Sequence, residues 1–220
     1  MSYHPQTSTL KAYAEGMLDD VSAFAIATHI ETCPECQRQI QYFEAQFGEQ
    51  LSSEPIDSNQ GLDAMFEQIV SLEQNSDPLR PPRLPTFIEV NGKSFRLPLS
   101  LSRFRDSIGE WKSYGGKVYS ASVDISQQAK VNLMYIAEDV TIPQHTHKGL
   151  ESTLVLHGGF SDEDGHYGVG DYLVKDGTVK HSPFTRKGED CLCLTVLTEP
   201  MLFTQGVARV FNMFGKGMYP

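Results

Sequence analysis

Apolar positions fall into two textures along the chain. Up to about residue 73 they recur at helical spacing, and from Thr86 onward they come in short blocks separated by turn residues. Val21, Phe24, Ala25, Thr28 and His29 sit near i, i+3, i+4, i+7 and i+8, one face of a helix that Asp19 or Asp20 can start. A shorter helix precedes it, capped by Thr7 or Ser8, running through Glu15 and ended by Gly16. A third is predicted from near Pro34, a residue tolerated in a first turn, through Ile40, Phe43 and Phe47. The polar stretch Glu54 to Gln60 breaks the pattern, and Leu62, Met65, Phe66 and Ile69 mark a fourth helix over Gly61 to Glu73.

Between Gln74 and Pro85 the prolines stop any helix and favour extended chain. Beyond them β-branched and aromatic residues dominate segments such as Phe87 to Val90, Lys117 to Val123, Val131 to Ile136, Ser152 to Leu156, Asp171 to Val174, Cys191 to Leu197 and Gly206 to Phe211. Short strands at such spacing predict an antiparallel sandwich or barrel. The expected fold class is multidomain, α plus β. A small helical domain of about four helices covers 1–74, a linker 75–85, and a β domain 86–220.

Charge sharpens the division. Residues 1–79 hold thirteen carboxylates against Lys11 and Arg38, a balance of −11, while residues 80–220 hold fifteen against sixteen cations. The acidic part repels nucleic acid and suits a basic protein partner; a solvated helical surface carries the same charge. No apolar run is long enough to span a bilayer, and Met1 is followed by polar residues rather than a secretory signal, so a cytoplasmic location is expected.

The four cysteines lie in two tight pairs, a spacing that reads as metal or redox chemistry rather than a disulfide framework. Cys33 and Cys36 follow His29 in the pattern H-x3-C-x2-C. With His29 one helical turn before Cys33, three ligands can face one ion, provided the second helix extends that far. His4 is the only other histidine in the acidic part, and it completes a Cys2His2 zinc site that ties the N-terminal arm to the turn between the second and third helices. A redox C-x-x-C is the competing reading, but the βαβ context of such motifs is missing. A leading histidine about 25 residues before H-x3-C-x2-C, in a short helical domain, resembles the zinc-binding anti-sigma (ZAS) domain. The resemblance implies His4, His29, Cys33 and Cys36 as zinc ligands. It also implies a domain that wraps the two halves of an extracytoplasmic-function sigma factor, with the fourth helix as a further clamp.

The second constellation is His145-Thr-His147-Lys-Gly-Leu-Glu151, followed by Gly158, with His181 thirty residues beyond Glu151. On a strand His145 and His147 share a face, and three histidines with one carboxylate suit Zn, Fe, Mn, Ni or Cu. The pattern resembles the cupin metal motifs over roughly residues 86–205 and implies a cupin barrel. It departs from them at Asp139, where glycine is usual, at Asp176 to Thr178, where Pro-x-Gly is usual, and at Thr185, where asparagine is usual. His157 and His166 fall outside the motif and are expected at the surface or in packing. Cys191 and Cys193 share one strand face; they are either two small core residues or a candidate redox pair.

An acidic zinc helical domain joined to a metal-binding cupin is similar to the ChrR family of anti-sigma factors. The resemblance implies sequestration of an extracytoplasmic-function sigma factor in a 1:1 complex. Release would follow oxidative stress, singlet oxygen or organic hydroperoxide, sensed through the cupin and a second divalent metal, Zn2+ being the expected one. The alternative is a metal-dependent cupin dioxygenase with an accessory zinc domain. A DNA-binding zinc-finger regulator is disfavoured by the acidic charge.

Overall fold

In a computed structural model, residues 2–53, 60–73, 85–126, 129–206, 208–209 and 212 are described. Four helices come first: α1 (Thr7–Ala14), α2 (Asp20–Ile30), α3 (Pro34–Ser53) and α4 (Gln60–Ser71). The expected linker, apart from Pro85, and the polar stretch 54–59 lie outside the described residues. None of the described helices is long and apolar enough to cross a membrane.

Helix α1 begins at Thr7 but is not capped by Thr7 or Ser8. Gln6 holds the cap position and makes no side-chain bond there, so the first turn depends on packing of the fully buried Leu10. Gly16 ends this segment at φ +68°, a conformation that suits glycine. Asp19 caps α2 as expected, accepting from the N–H groups of Val21 and Ser22 at 3.1 and 2.9 Å. Helix α2 stops at Ile30, one turn short of Cys33, so His29 and Cys33 do not share a helix face. Cys33 precedes α3, and its carbonyl accepts from Gln37 N–H at 3.0 Å to open that helix.

The second part holds β1 (Phe87–Val90), β2 (Lys93–Arg96), the short α5 (Leu99–Ser102) and nine further strands. These are β3 (Lys112–Tyr114), β4 (Val118–Val123), β5 (Lys130–Ile136), β6 (His145–His147), β7 (Glu151–Ser161), β8 (His166–Gly168), β9 (Tyr172–Lys175), β10 (Cys191–Leu197) and β11 (Met201–Phe203). The main sheet runs β3-β4-β5-β10-β7-β8, with β9 also on β7, and every pairing is antiparallel. The β6–β11 pair forms a separate ladder, bridged to His181 through His145, and Phe184 bridges both Thr141 and Ser161, the last residue of β7. This is the expected cupin barrel. No strand forms at the described part of Gly206 to Phe211: residues 208 and 209 sit in a 3-10 turn. The Asn212 side chain brackets Phe203 at 2.8 and 3.1 Å, occupying the edge of β11 where another strand would pair.

Strand β10 is buried along its whole length because both of its faces are covered. Leu192, Leu194 and Val196 join Leu133 and Tyr135 of β5 in an outer layer that also contains Val21, Phe24, Ala25 and Ile26 of α2. Cys191 and Cys193 look the other way, into the barrel, with Ile136, Val155 and Phe160. Alternation of side chains across a strand thus divides one apolar run between two cores. The helices α1 to α3 and the outer face of the barrel share a single apolar cluster. Each large side chain buried there stabilises the fold by about 1.5–3 kcal/mol.

Candidate metal centres

The first cluster gathers His4, His29, Cys33 and Cys36. The last turn of α2 supplies His29, the turn that follows supplies Cys33, the first turn of α3 supplies Cys36, and the arm before α1 brings in His4. His29 Nε2 lies 3.3 Å from Cys36 Sγ, and His4 Nδ1 lies 3.3 and 3.5 Å from the sulfurs of Cys33 and Cys36. Bond lengths of about 2.0 Å to nitrogen and about 2.3 Å to sulfur place tetrahedral neighbours about 3.3–3.8 Å apart, so the four donors fit one zinc-sized ion. Burial and the neighbouring Cys33 thiol push Cys36 up to about 12. A redox C-x-x-C needs the opposite, a thiolate eased by positive charge. A bound cation would stabilise that thiolate.

Both histidines are oriented from behind. His29 Nδ1–H donates to the carbonyl of Gly170 at 2.9 Å, which leaves Nε2 free to ligate. His4 Nε2 faces Glu35 at 3.5 Å. Gly170 belongs to the barrel, between β8 and β9, so part of this cluster's surroundings comes from the second half of the chain.

The second cluster joins His145, His147, Glu151 and His181, all buried, with donor atoms within 4.8 Å of one another. Strand β6 turns His145 and His147 to one face, β7 opens on Glu151, and the His145–His181 bridge brings in the last histidine. His147 Nε2 lies 3.0 Å from Glu151 Oε2 and 3.3 Å from His181 Nε2. His145 Nδ1–H donates to the Pro143 carbonyl at 2.9 Å. His181 Nδ1–H donates to Asp162 at 3.3 Å. His147 Nδ1 has no partner among the described residues. Burial, then the charge of His181, lowers His145 to about 4, so it is neutral near pH 7, the form that ligates. Burial opposes ionisation of Glu151, yet its bond to His147 and the three imidazoles hold its carboxyl below the ordinary range. The donor set suits a divalent ion of intermediate softness.

The departures from the cupin pattern are absorbed locally. Asp139 takes a left-handed backbone at φ 54°, the conformation for which glycine is usual. Asp176 accepts from the N–H of Thr178 at 2.9 Å and so closes its turn without proline. Thr185 donates to the Ala137 carbonyl at 2.6 Å and accepts from Val140 N–H at 3.2 Å.

A cavity of about 520 Å3 opens on this cluster, walled by apolar side chains such as Val118, Ile136, Ile142 and Phe160. Cys193 lines it. Cys191 is fully buried, and its thiol is pushed well above the ordinary value by the bond to Cys193 and by burial. A readily oxidised thiolate needs the reverse shift. His157 and His166 lie outside the cluster, against Asp190 at 3.4 Å and Glu189 at 3.5 Å.

Sequence patterns did not point to Asp162, which holds His181, or to Tyr167, which donates to Asp162 at 2.8 Å. Nor did they point to Asp171, which holds the N-terminal arm through Ser2 N–H at 2.7 Å and Tyr3 N–H at 3.2 Å. Asp162 and Asp171 sit beside Gly-containing turns and read as ordinary turn carboxylates.

Residues 110–200 match the ChrR cupin-like domain family. Over 218 residues, 96% of this chain and 97% of the relative, the sequence is 29% identical to the anti-sigma-E factor ChrR of Cereibacter sphaeroides. The fold matches a chain in the crystal structure of Rhodobacter sphaeroides SigE in complex with the anti-sigma ChrR, with a TM-score of 0.67 and 29% identity. That match covers 89% of this chain and 98% of the other.

Proposed function

We propose that this chain is an anti-sigma factor of the ChrR type. Its helical unit, residues 1–74, sequesters an extracytoplasmic-function sigma factor in a 1:1 complex, and its cupin unit, residues 86–220, governs release. The observation that carries this reading is similarity to an anti-sigma factor across both units and the segment joining them. Helix α4 supports it. Leu62, Met65, Phe66, Ile69 and Val70 are each more than half exposed on this one short helix, an apolar surface suited to a partner. The acidic balance of the same unit favours a partner with basic surfaces. The role is regulatory, not catalytic.

His4, His29, Cys33 and Cys36 hold a structural Zn2+, which supplies folding energy to a unit with few buried side chains of its own. His145, His147, Glu151 and His181 hold a second divalent ion, also Zn2+. Oxidative stress acts on the cupin and weakens the complex. The fully buried, high-pKa Cys191 is packed as core rather than activated for that role.

The test is co-expression of the full chain with an extracytoplasmic-function sigma factor from its own genome, followed by co-purification, metal analysis and transcription in vitro. A stoichiometric complex that blocks transcription and dissociates under singlet oxygen or organic hydroperoxide is expected. Uninhibited transcription at a molar excess of the chain would refute sequestration. An intact complex after oxidant would refute the release step alone.

A further inference from the structure

The two metal clusters lie on different units of the fold, yet one short path of contacts joins them. The arm that carries His4 is docked on the barrel. Asp171 accepts from the N–H groups of Ser2 and Tyr3, and the Tyr3 carbonyl accepts from Tyr172 N–H at 3.0 Å, as an added strand would. The Tyr3 ring packs edge-on against that of Tyr167, with centroids 4.8 Å apart. The fit is close on the neighbouring turn, where a Cβ on Gly165 would lie 2.8 Å from the Tyr3 hydroxyl. Tyr167, 1% exposed, donates its hydroxyl to Asp162 at 2.8 Å. Asp162 accepts from Lys175 of β9 at 2.8 Å and from His181 at 3.3 Å. The path therefore runs His4, Tyr3, Tyr167, Asp162, His181.

We propose that the two centres are energetically coupled through this path, with Tyr167 as the positioning residue they share. The inference rests on the reading of both clusters as metal centres. A ligand on a terminal arm must be ordered before it can bind, and ordering costs about 1–2 kcal/mol of backbone entropy per residue. The barrel offsets that cost by fixing Ser2 and Tyr3, and it also orients His29 through the Gly170 carbonyl. One part of that surface, the Tyr167 ring, is held from behind by Asp162, which accepts from Tyr167, Lys175 and Asp164 N–H as well as from His181. An ion that holds His181 thereby steadies Asp162, Tyr167 and the arm, and strengthens the first centre. Linkage requires the reverse as well: filling the first centre tightens the second.

Cobalt(II) titration of the full chain reads the first centre selectively, because only a site with cysteine thiolates gives the sulfur-to-cobalt charge-transfer band. His145→Ala weakens the second centre; it removes a ring packed 4.4 Å from that of His181 but keeps the backbone bridge and every hydrogen bond of the path. The expected result is half-saturation of the thiolate band at about 5-fold or more higher cobalt. In a Tyr167→Phe background, which keeps the ring and removes only the hydroxyl, the same change shifts half-saturation by less than about 2-fold, the level of independent sites. Glu151→Gln empties the second centre by another route should His145→Ala not yield folded protein by circular dichroism. An equal shift in both backgrounds, or no shift in either, overturns the coupling. A wild-type chain that gives no thiolate band at all removes the metal reading itself, and the coupling with it.

Discussion

Phe66 on α4 allows the proposed partner-binding surface to be separated from the fold. The residue is 64% exposed, so truncation to alanine removes little that the free chain has buried. The stability of the free protein should change by less than about 0.5 kcal/mol, the usual range for surface positions. Partner binding behaves differently. Full burial of a phenylalanine is worth about 1.5–3 kcal/mol, and with the residue 64% exposed in the free chain the interface gains about 1–2 kcal/mol from it. Phe66→Ala should therefore raise the Kd for the sigma factor about 5- to 25-fold. Titration calorimetry on the purified pair measures the Kd, and thermal melts of the free chain measure the stability. An unchanged Kd with an unchanged melt would show that α4 does not enter the interface. A lowered melting temperature would show that Phe66 belongs to the fold of the free chain, and the argument from exposure would fail.

Replacing Cys33 and Cys36 together by alanine should remove the first centre, collapse the helical signal of residues 1–53 and abolish co-purification with the sigma factor; retained co-purification counts against a structural ion there. Gly158 has φ +62°, and a Cβ there would lie 1.7 Å from the Asp190 carbonyl oxygen, so Gly158→Ala forces the β7–β10 ladder apart. A cost of at least about 2 kcal/mol, or roughly 4–8 °C in Tm, is expected from calorimetric melts. Burial opposes ionisation of Asp190, but its bonds to Lys93 at 2.6 Å and Tyr135 at 2.8 Å hold its carboxyl below the ordinary range. A depressed carboxyl contributes stability above the unfolded value of about 4 and loses it as pH falls through the folded value. Urea midpoints measured from pH 6 down to pH 3 should thus fall more steeply for the wild type than for Asp190→Asn, and parallel curves would contradict the shift.

Local patterns announced the elements whose causes are local. Helix α2 has its own cap in Asp19 and its own apolar face, and both were readable. The pair His145 and His147 was readable because a strand places alternate residues on one side. What escaped depends on distant partners. Helix α5 is only four residues long, and its first N–H groups, those of Leu99 and Ser100, are accepted by Glu31 from the far end of α2, at 2.6 Å for Leu99. No pattern around Leu99 contains that carboxylate. The stop of α2 at Ile30 escaped for a related reason. Thr32 N–H turns back to the His29 carbonyl at 3.2 Å, and the chain then passes through Cys33 into the first turn of α3, which holds Cys36. Asp162 and Asp171 escaped because their importance lies in the histidine and the arm they hold, which come from other parts of the chain.

The placement of α2 constrains how a cupin could release a partner held by the helices. Val21, Phe24, Ala25 and Ile26 join the cluster on the outer face of the barrel, Thr28 accepts from Ser100 at 2.9 Å, and Glu31 caps α5. That side of the helical unit is taken by the cupin. The exposed apolar residues of the helical unit are those of α4 together with Met17, Tyr42, Leu51 and Leu72. For the release proposed above, contacts through which the cupin can alter the shape of the helical unit converge on the first cluster: Gly170 on His29, and Asp171, Tyr172 and Tyr167 on the arm before His4. Under the proposed coupling, loss of order at His181 slackens the Tyr167 contact with the arm and weakens His4 as the fourth donor beside His29, Cys33 and Cys36. The buried thiols would then be poorly compensated and the turn between α2 and α3 released, and with it the relative placement of the helices that present the partner's surface.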